Sequence, residues 1–156
     1  MTIDMRTAQA TDAEVISDMV GELLQEIMAA IGIQVFSFDR DATVARARAW
    51  LTDGSYQIVL ALDGAAAVGF AALYESRALY AEGAFGTVPE FYVKPAARSK
   101  GVGARLMAEV KQLAKTKGWK RLEVTTPPLP QFERTKAFYE RQGFTVSGGR
   151  KMKVNL

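Results

Sequence analysis

Apolar residues recur along this chain with two periods that change places several times, and the switches mark out its elements. Alternation over residues 2–8 predicts a first strand. Thr11 and Asp12 then offer a cap to a helix carrying Val15, Met19, Leu23, Leu24 and Ile27 on one face and ending near Gly32. A loop over 33–39 leads to a second helix through Val44, Ala47 and Leu51. Runs at 56–62 and 65–74 flank Asp63-Gly64, a strong hairpin signal. An Ala-, Gly- and Tyr-rich stretch over 75–86 reads as a loop before a strand at 88–93. Val102, Leu106, Val110 and Leu113 fall at helical spacing in a helix over 101–117, and a strand at 122–125 follows. Pro127, Pro128 and Pro130 form a stiff connector into a last helix over 131–142, stopped by Gly143. Short strands at 144–146 and 152–154 complete the chain. The order is β-α-α-β-β-β-α-β-α-β-β, without repeat, linker or low-complexity segment, and predicts one α/β (α+β) domain over 1–156.

At 156 residues the chain is long enough to bury a proper core. No apolar run approaches the roughly 20 residues that span a bilayer. The longest, over 65–74, follows a charged turn and reads as a strand. The first residues lack the basic-then-apolar layout of a signal peptide, so no membrane partner is expected and the cytoplasm is the default compartment. Two absences narrow the chemistry. Without cysteine there is no disulfide framework, thiolate metal site or cysteine nucleophile. Without histidine there is no Ser-His-Asp triad, no histidine-held zinc, and no ordinary base near neutral pH. No metal is expected. Carboxylates, tyrosines, backbone dipoles or a cofactor must do the work.

The net charge of +3 is unevenly spread. Residues 94–121 hold nine basic side chains against one acid, Glu109, so the remainder is net negative. Lys111, Lys115, Lys117 and Lys120 suit a solvated face near a helix C-terminus, where the dipole favours cations. Lys94, Arg98, Lys100 and Arg105 instead cluster around Arg98-Ser99-Lys100-Gly101-Val102-Gly103-Ala104, between the 88–93 strand and the next helix. Glycines at such a turn let backbone approach a ligand. The first-turn N–H groups of the helix then favour a phosphate or pyrophosphate. A P-loop would need Lys-Ser or Lys-Thr after its last glycine, where Ala104 and Arg105 stand. A dinucleotide fingerprint would need a small residue at Leu106.

The segment closely resembles the acyl-CoA pyrophosphate loop of the GCN5-related N-acetyltransferases (GNAT), Arg/Gln-x-x-Gly-x-Gly/Ala, with Arg98, Gly101 and Gly103 in its fixed positions. From Phe138 onward, Phe138-Tyr139-Glu140-Arg141-Gln142-Gly143-Phe144 is similar to that family's Phe-Tyr-x-x-x-Gly-Phe segment. The element order matches the family from end to end. The resemblance implies a mixed, mostly antiparallel central sheet of about seven strands flanked by about four helices. Three departures stand out. Ser99 occupies a position where the family often has glycine. Phe132 and Thr135 stand where many members carry asparagine and alanine.

The resemblance also implies acetyl-CoA as co-substrate. Its pyrophosphate would lie on the backbone of Arg98, Ser99, Lys100, Gly101, Val102, Gly103 and Ala104. Its pantetheine would lie along Phe91, Tyr92 and Val93, with the N–H near Phe91 as oxyanion donor where this strand splays from the 122–126 segment. Tyr139 matches the tyrosine that protonates the departing thiolate in many members; a core aromatic is the alternative. An alkyl amine must lose a proton before attacking, and without histidine a carboxylate acting through water is the natural helper. Strand alternation places Glu90 on the face of Val88 and Tyr92 as that candidate, against a solvated or ion-paired glutamate. Glu75 and Glu82 are weaker substitutes. Trp50, Tyr56, Tyr74 and Phe85 read as core or cleft wall.

These readings predict acetyl transfer to a primary amine on a small molecule by direct attack, the acceptor lying between 33–40, 75–86 and the last helix. Protein lysines or N-termini are alternative acceptors, and a non-catalytic CoA-binding sensor is a further alternative. A nucleic-acid partner is not expected, because basic-aromatic interleaving is missing from the basic stretch. The oligomeric state stays open, a homodimer included.

Overall fold

The structure, a computed structural model, describes residues 2–156. They form two compact units, one ending at Thr125 and one running from Thr126 to Leu156. The first holds β1 (Ile3–Thr7), α1 (Ala13–Ile31), α2 (Arg40–Asp53), β2 (Gln57–Asp63), β3 (Ala66–Ala78), β4 (Gly83–Val88), β5 (Phe91–Val93), α3 (Val102–Thr116) and β6 (Leu122–Val124). The second holds α4 (Glu133–Arg141).

The sheet has six strands in the order β1-β2-β3-β4-β6, with β5 pairing β3 beyond the end of β4. Every pairing is antiparallel except β4 with β6, so the sheet is mixed and mostly antiparallel, as expected. Directly opposed residues share a face, and faces alternate along a strand. One face of β2, β3 and β5 presents Ile58, Leu60, Phe70, Ala72 and Tyr92 to Ile16 and Met19 of α1 in a buried cluster. Leu51 of α2 and Tyr56 pack against it. The opposite face meets α3: a Cβ added at Gly69 would lie 3.4 Å from Leu106 Cδ1. Leu106, Met107 and Val110 of α3 are fully buried. Both helix layers thus grip the same central strands.

Local chemistry explains the helix ends. Asp12 accepts the Gln9 N–H at 2.8 Å and pairs with Arg6, closing the turn that enters α1. Gly32, at φ 71°, stops α1 by donating its N–H to the Met28 carbonyl. Asp39 accepts the Ala42 N–H at 2.9 Å and starts α2. Val15, expected on the inner face of α1, is instead 36% exposed, and Ile16 takes the core position.

Three expectations fail. The 75–86 segment is not a loop but a hairpin in which β3 and β4 pair from Tyr74↔Thr87 to Ala78↔Gly83. Polar residues on both faces hid it, because this end of the ladder extends past the core. The 88–93 strand is broken at Pro89-Glu90 into β4 and β5, since proline has no N–H for the ladder. The strands expected at 144–146 and 152–154 are not formed among the described residues, leaving six strands rather than seven. Strands exist through pairing, and Val146, Met152 and Val154 are exposed. Within the second unit, the Gln142 N–H meets the Phe138 carbonyl at 3.1 Å and the Phe144 N–H meets the Tyr139 carbonyl at 3.0 Å. These bonds wrap the end of α4, with Gly143 at φ 98°.

Candidate active site

The break between β4 and β5 organises the site. Tyr74 pairs with Thr87, and Ala71 with Phe91, so three steps along β3 are matched by four along the other strand. One residue is extra, which is a β-bulge. Up to Thr87, β4 is in register with Tyr74 on the face of α1 and α2, and Val88 lies on the α3 face. Past the bulge, Tyr92 pairs with Phe70 and belongs to the face of α1 and α2, and Glu90 with it. The expectation that Glu90 shares a face with Tyr92 therefore holds, but its sharing one with Val88 does not. The bulge turns the strand over between them.

Glu90 meets Tyr56 there. The Tyr56 hydroxyl donates to the carboxylate, 3.2 Å from Oε1 and 3.0 Å from Oε2. Burial raises the Glu90 carboxyl above the ordinary range, and the Tyr56 hydrogen bond opposes part of that rise. Burial, then the Glu90 charge, raises the Tyr56 phenol. Tyr56 stands between two other rings: Trp50 at 4.9 Å and Tyr74, nearly parallel, at 5.8 Å. Its position in the sequence marks Tyr56 only as core or cleft wall. It and Glu90 are 34 residues apart, and no spacing rule links them.

Glu75 does not share this site. It lies one residue beyond Tyr74, on the α3 face, accepting from Trp119 Nε1 at 2.9 Å and from Arg77. Glu82 sits in the hairpin turn at φ 57°, exposed. Phe85 is buried, with the Arg121 guanidinium 4.5 Å from its ring centroid.

On the other edge of β5, parallel pairing of β4 with β6 stops at Val88↔Val124, and β5 pairs with β3 only. Among the described residues no ladder joins β5 to β6. Ala72 N–H donates to the Glu90 carbonyl and Lys94 N–H to the Val68 carbonyl, so Tyr92 directs its backbone at β3. Alternation then turns the N–H groups of Phe91 and Val93 away from β3. Tyr92 is placed in the core, its phenol pushed up to about 12 by burial and by Glu22 and Glu26. The Val93 carbonyl accepts from Arg98 Nε at 2.8 Å.

The loop after β5 is built by its own cations. A tight turn at Pro95–Ala97 leads to Arg98, whose guanidinium also reaches Glu26 on α1 at 2.7 Å. Lys94 pairs with Glu22 at 3.6 Å, and Lys100 Nζ donates to the Ala96 carbonyl. Arg105, expected beside a phosphate, turns instead to the Ile3 carbonyl at 2.7 Å. Ser99 (φ 63°) and Gly101 (φ 79°) are both left-handed, which explains why glycine suits either position. The first bond of α3 runs from the Arg105 N–H to the Gly101 carbonyl. The N–H groups of Val102, Gly103 and Ala104 thus precede the helical ladder and face out of its positive end. Nothing lies within 4 Å of a Cβ built on Gly101. This donor set and open approach fit a pyrophosphate.

In the second unit Tyr139 is buried between Phe138, at 5.6 Å, and Phe144, edge-on at 5.7 Å. Burial pushes its phenol up to about 12, so it is protonated at neutral pH. Among the described residues there is no cluster that could hold a metal ion, and no helix long and apolar enough to cross a membrane.

A family model described as an acetyltransferase (GNAT) domain matches residues 54–146, from the end of α2 to past α4. An integron cassette protein from the mobile metagenome of Cole Harbour Salt Marsh is 30% identical, with 97% of this chain and 90% of that one covered at a TM-score of 0.80. A ribosomal-protein-alanine N-acetyltransferase from Brucella melitensis biovar Abortus 2308 shares the fold at 19% identity (99% and 100% covered, TM-score 0.75). So does an aminoglycoside acetyltransferase from an uncultured soil metagenomic sample at 17% identity (100% and 99% covered, TM-score 0.76). No curated protein is significantly similar in sequence. With the bulged strand, the left-handed loop and the matched domain in agreement, the chain belongs to the GNAT family of acetyltransferases.

Proposed function

We propose that the protein acetylates a primary amine on a small molecule with acetyl-CoA as donor, the amine attacking directly. The observation that carries this reading is the β-bulge at Pro89-Glu90. It sets a buried carboxylate of raised pKa on one face of the strand and the Phe91 N–H on the edge away from β3 one residue later. When bound, acetyl-CoA supplies an acyl group already activated as a thioester. The N–H groups of Val102, Gly103 and Ala104 hold the pyrophosphate, and the Phe91 and Val93 edge orients the arm that follows it.

Glu90 takes the proton that the ammonium must lose, directly or through a water. Its raised pKa brings it nearer the operating pH than an exposed glutamate would be. Tyr56 fixes the carboxylate. The Phe91 N–H faces the oxygen on which charge develops as the amine adds; one such donor is worth about 3–4 kcal/mol in other enzymes. Tyr139 returns a proton to the leaving sulfur, a role that rests on its place in the Phe-Tyr motif and on a phenol that stays protonated. The aminoglycoside enzyme among the structural neighbours supports a small acceptor; the ribosomal-protein enzyme keeps protein N-termini as the runner-up.

The test is thiol release from acetyl-CoA over a panel of amines and peptides, with acetyl-CoA affinity measured by calorimetry. Release with small amines supports the reading. Binding without release from any acceptor would leave a CoA sensor, and release with peptides alone would shift the acceptor to proteins.

A further inference from the structure

We propose that the acceptor is a monoamine carried on a flat apolar body, an arylalkylamine by chemical class. This rests on the reading of Glu90 as the group that meets the amine. Two independent features point the same way, the rings beside Glu90 and the pairing of carboxylates on α1.

The first is the row of rings. Trp50 from the end of α2, Tyr56 before β2 and Tyr74 on β3 form a row of ring contacts whose middle member, Tyr56, bonds the carboxylate. One end of the row reaches solvent: Tyr56 is half-buried and Trp50 is 38% exposed. The near-parallel Tyr56 and Tyr74 planes favour a flat group lying against them. An ammonium at Glu90 gains from the ring faces as well as from the carboxylate. With a short alkyl tether, an aryl group attached to that amine reaches the exposed end of the row. A long flexible or strongly hydrated body gains little there.

The second is the pairing of carboxylates. α1 carries Glu14, Asp18, Glu22 and Glu26 at four-residue spacing, one acidic stripe along the helix. Were the stripe open, it would suit a polycation. It is already neutralised from within: Asp18 holds Arg40 at 2.6 Å, Glu22 holds Lys94 at 3.6 Å and Glu26 holds Arg98 at 2.7 Å. Glu14 lies in the field of Arg40. Glu90 differs, because its partner is the neutral Tyr56 hydroxyl, which leaves the negative charge to be met by the acceptor. One uncompensated carboxylate matches one ammonium. A polyamine or an aminoglycoside would bring several cations to a face that answers one of them.

The experiment uses the full chain with acetyl-CoA and follows thiol release with 2-phenylethylamine, n-hexylamine, spermidine, kanamycin and a lysine-containing peptide. The kcat/KM for 2-phenylethylamine should exceed that for n-hexylamine by at least about tenfold, within the range a well-filled apolar pocket supplies. Spermidine, kanamycin and the peptide should fall below both. Trp50→Leu, at a partly exposed site, should raise KM for 2-phenylethylamine several-fold and move that for n-hexylamine less, so the ratio shrinks. Trp50→Phe should restore most of it. Turnover that favours spermidine, kanamycin or the peptide overturns the arylalkylamine assignment and leaves acetyl transfer standing, as does equal turnover of the aryl and alkyl amines. Acetyl-CoA binding without thiol release from any acceptor removes acetyl transfer itself, and the acceptor class with it.

Discussion

Replacing Glu90 with glutamine separates chemistry from stability, because the change removes a charge and almost no volume. At pH 7.5 an amine of pKa about 10.4 is neutral in roughly one molecule in 800. An enzyme that deprotonates the bound ammonium escapes that penalty, worth about 4 kcal/mol, whereas one without a base depends on the rare neutral form. Glu90→Gln should therefore lower kcat/KM by about 10²–10³ near neutral pH, inside the range of general-base effects. The defect should shrink about tenfold per pH unit as pH rises, nearly vanishing above the amine's own pKa. Stability should move the other way. Burial raises the Glu90 carboxyl, so the folded protein binds its proton more tightly than the unfolded chain does. The wild type thus loses stability as pH rises from the unfolded carboxyl's pKa through the raised folded value. Glutamine has no such charge and can still accept from Tyr56, so Tm at neutral pH should be unchanged or higher, the gap closing in acid. The assays are thiol release from pH 6 to 11 and thermal melting from pH 3 to 8. A rate loss of constant size across pH would show that Glu90 positions the acceptor without taking its proton. Full activity would remove it from the reaction.

Tyr56→Phe keeps the ring against Tyr74 and deletes the donor that holds the Glu90 pKa down, so the acidic limb of the kcat/KM profile should move to higher pH; an unmoved limb would sever Tyr56 from the base. Gly101→Val forces a β-branched residue to φ 79°, a conformation costing L-residues about 1–2 kcal/mol, and should weaken acetyl-CoA binding at least about tenfold by calorimetry while the protein stays folded. Tyr139→Phe should cut turnover at least about tenfold with little change in Tm or acetyl-CoA affinity; joint loss of stability and activity would mark the hydroxyl as structural.

Much of this was legible in the chain because the informative signals are local. The glycine loop at 98–104, the hairpin at Asp63-Gly64 and the caps at Asp39 and Gly32 depend on a few neighbouring residues and the backbone shapes they allow. What stayed hidden depends on partners distant in sequence. The 75–86 hairpin carries polar residues on both faces, so neither period reveals it. The apolar positions at 144–154 alternate as a strand does, but alternation alone supplies no pairing partner. Arg105 and Arg98 sit among cations around the glycine loop at 98–104, yet the carbonyl of Ile3 and the carboxylate of Glu26 claim them. Charge clustering along a chain cannot distinguish a cation aimed at a ligand from one that folds the loop presenting it.

The bulge shows most clearly how one local event decides the site. Strand alternation alone carries Val88, Glu90 and Tyr92 to one face, where they would meet α3. The extra residue between Thr87 and Phe91 reverses the strand, leaving Val88 buried on the α3 side and sending Tyr92 into the core against Phe70. Glu90 turns with Tyr92 and arrives under Tyr56 and its ring row. The same break falls where β6 ceases to pair, so the carboxylate and the outward Phe91 N–H come to adjacent residues on different sides of one strand. A regular strand could offer either the carboxylate under Tyr56 or the N–H turned away from β3 at this point in the sheet. The proline, which cannot donate to the ladder, is what lets one short segment offer both.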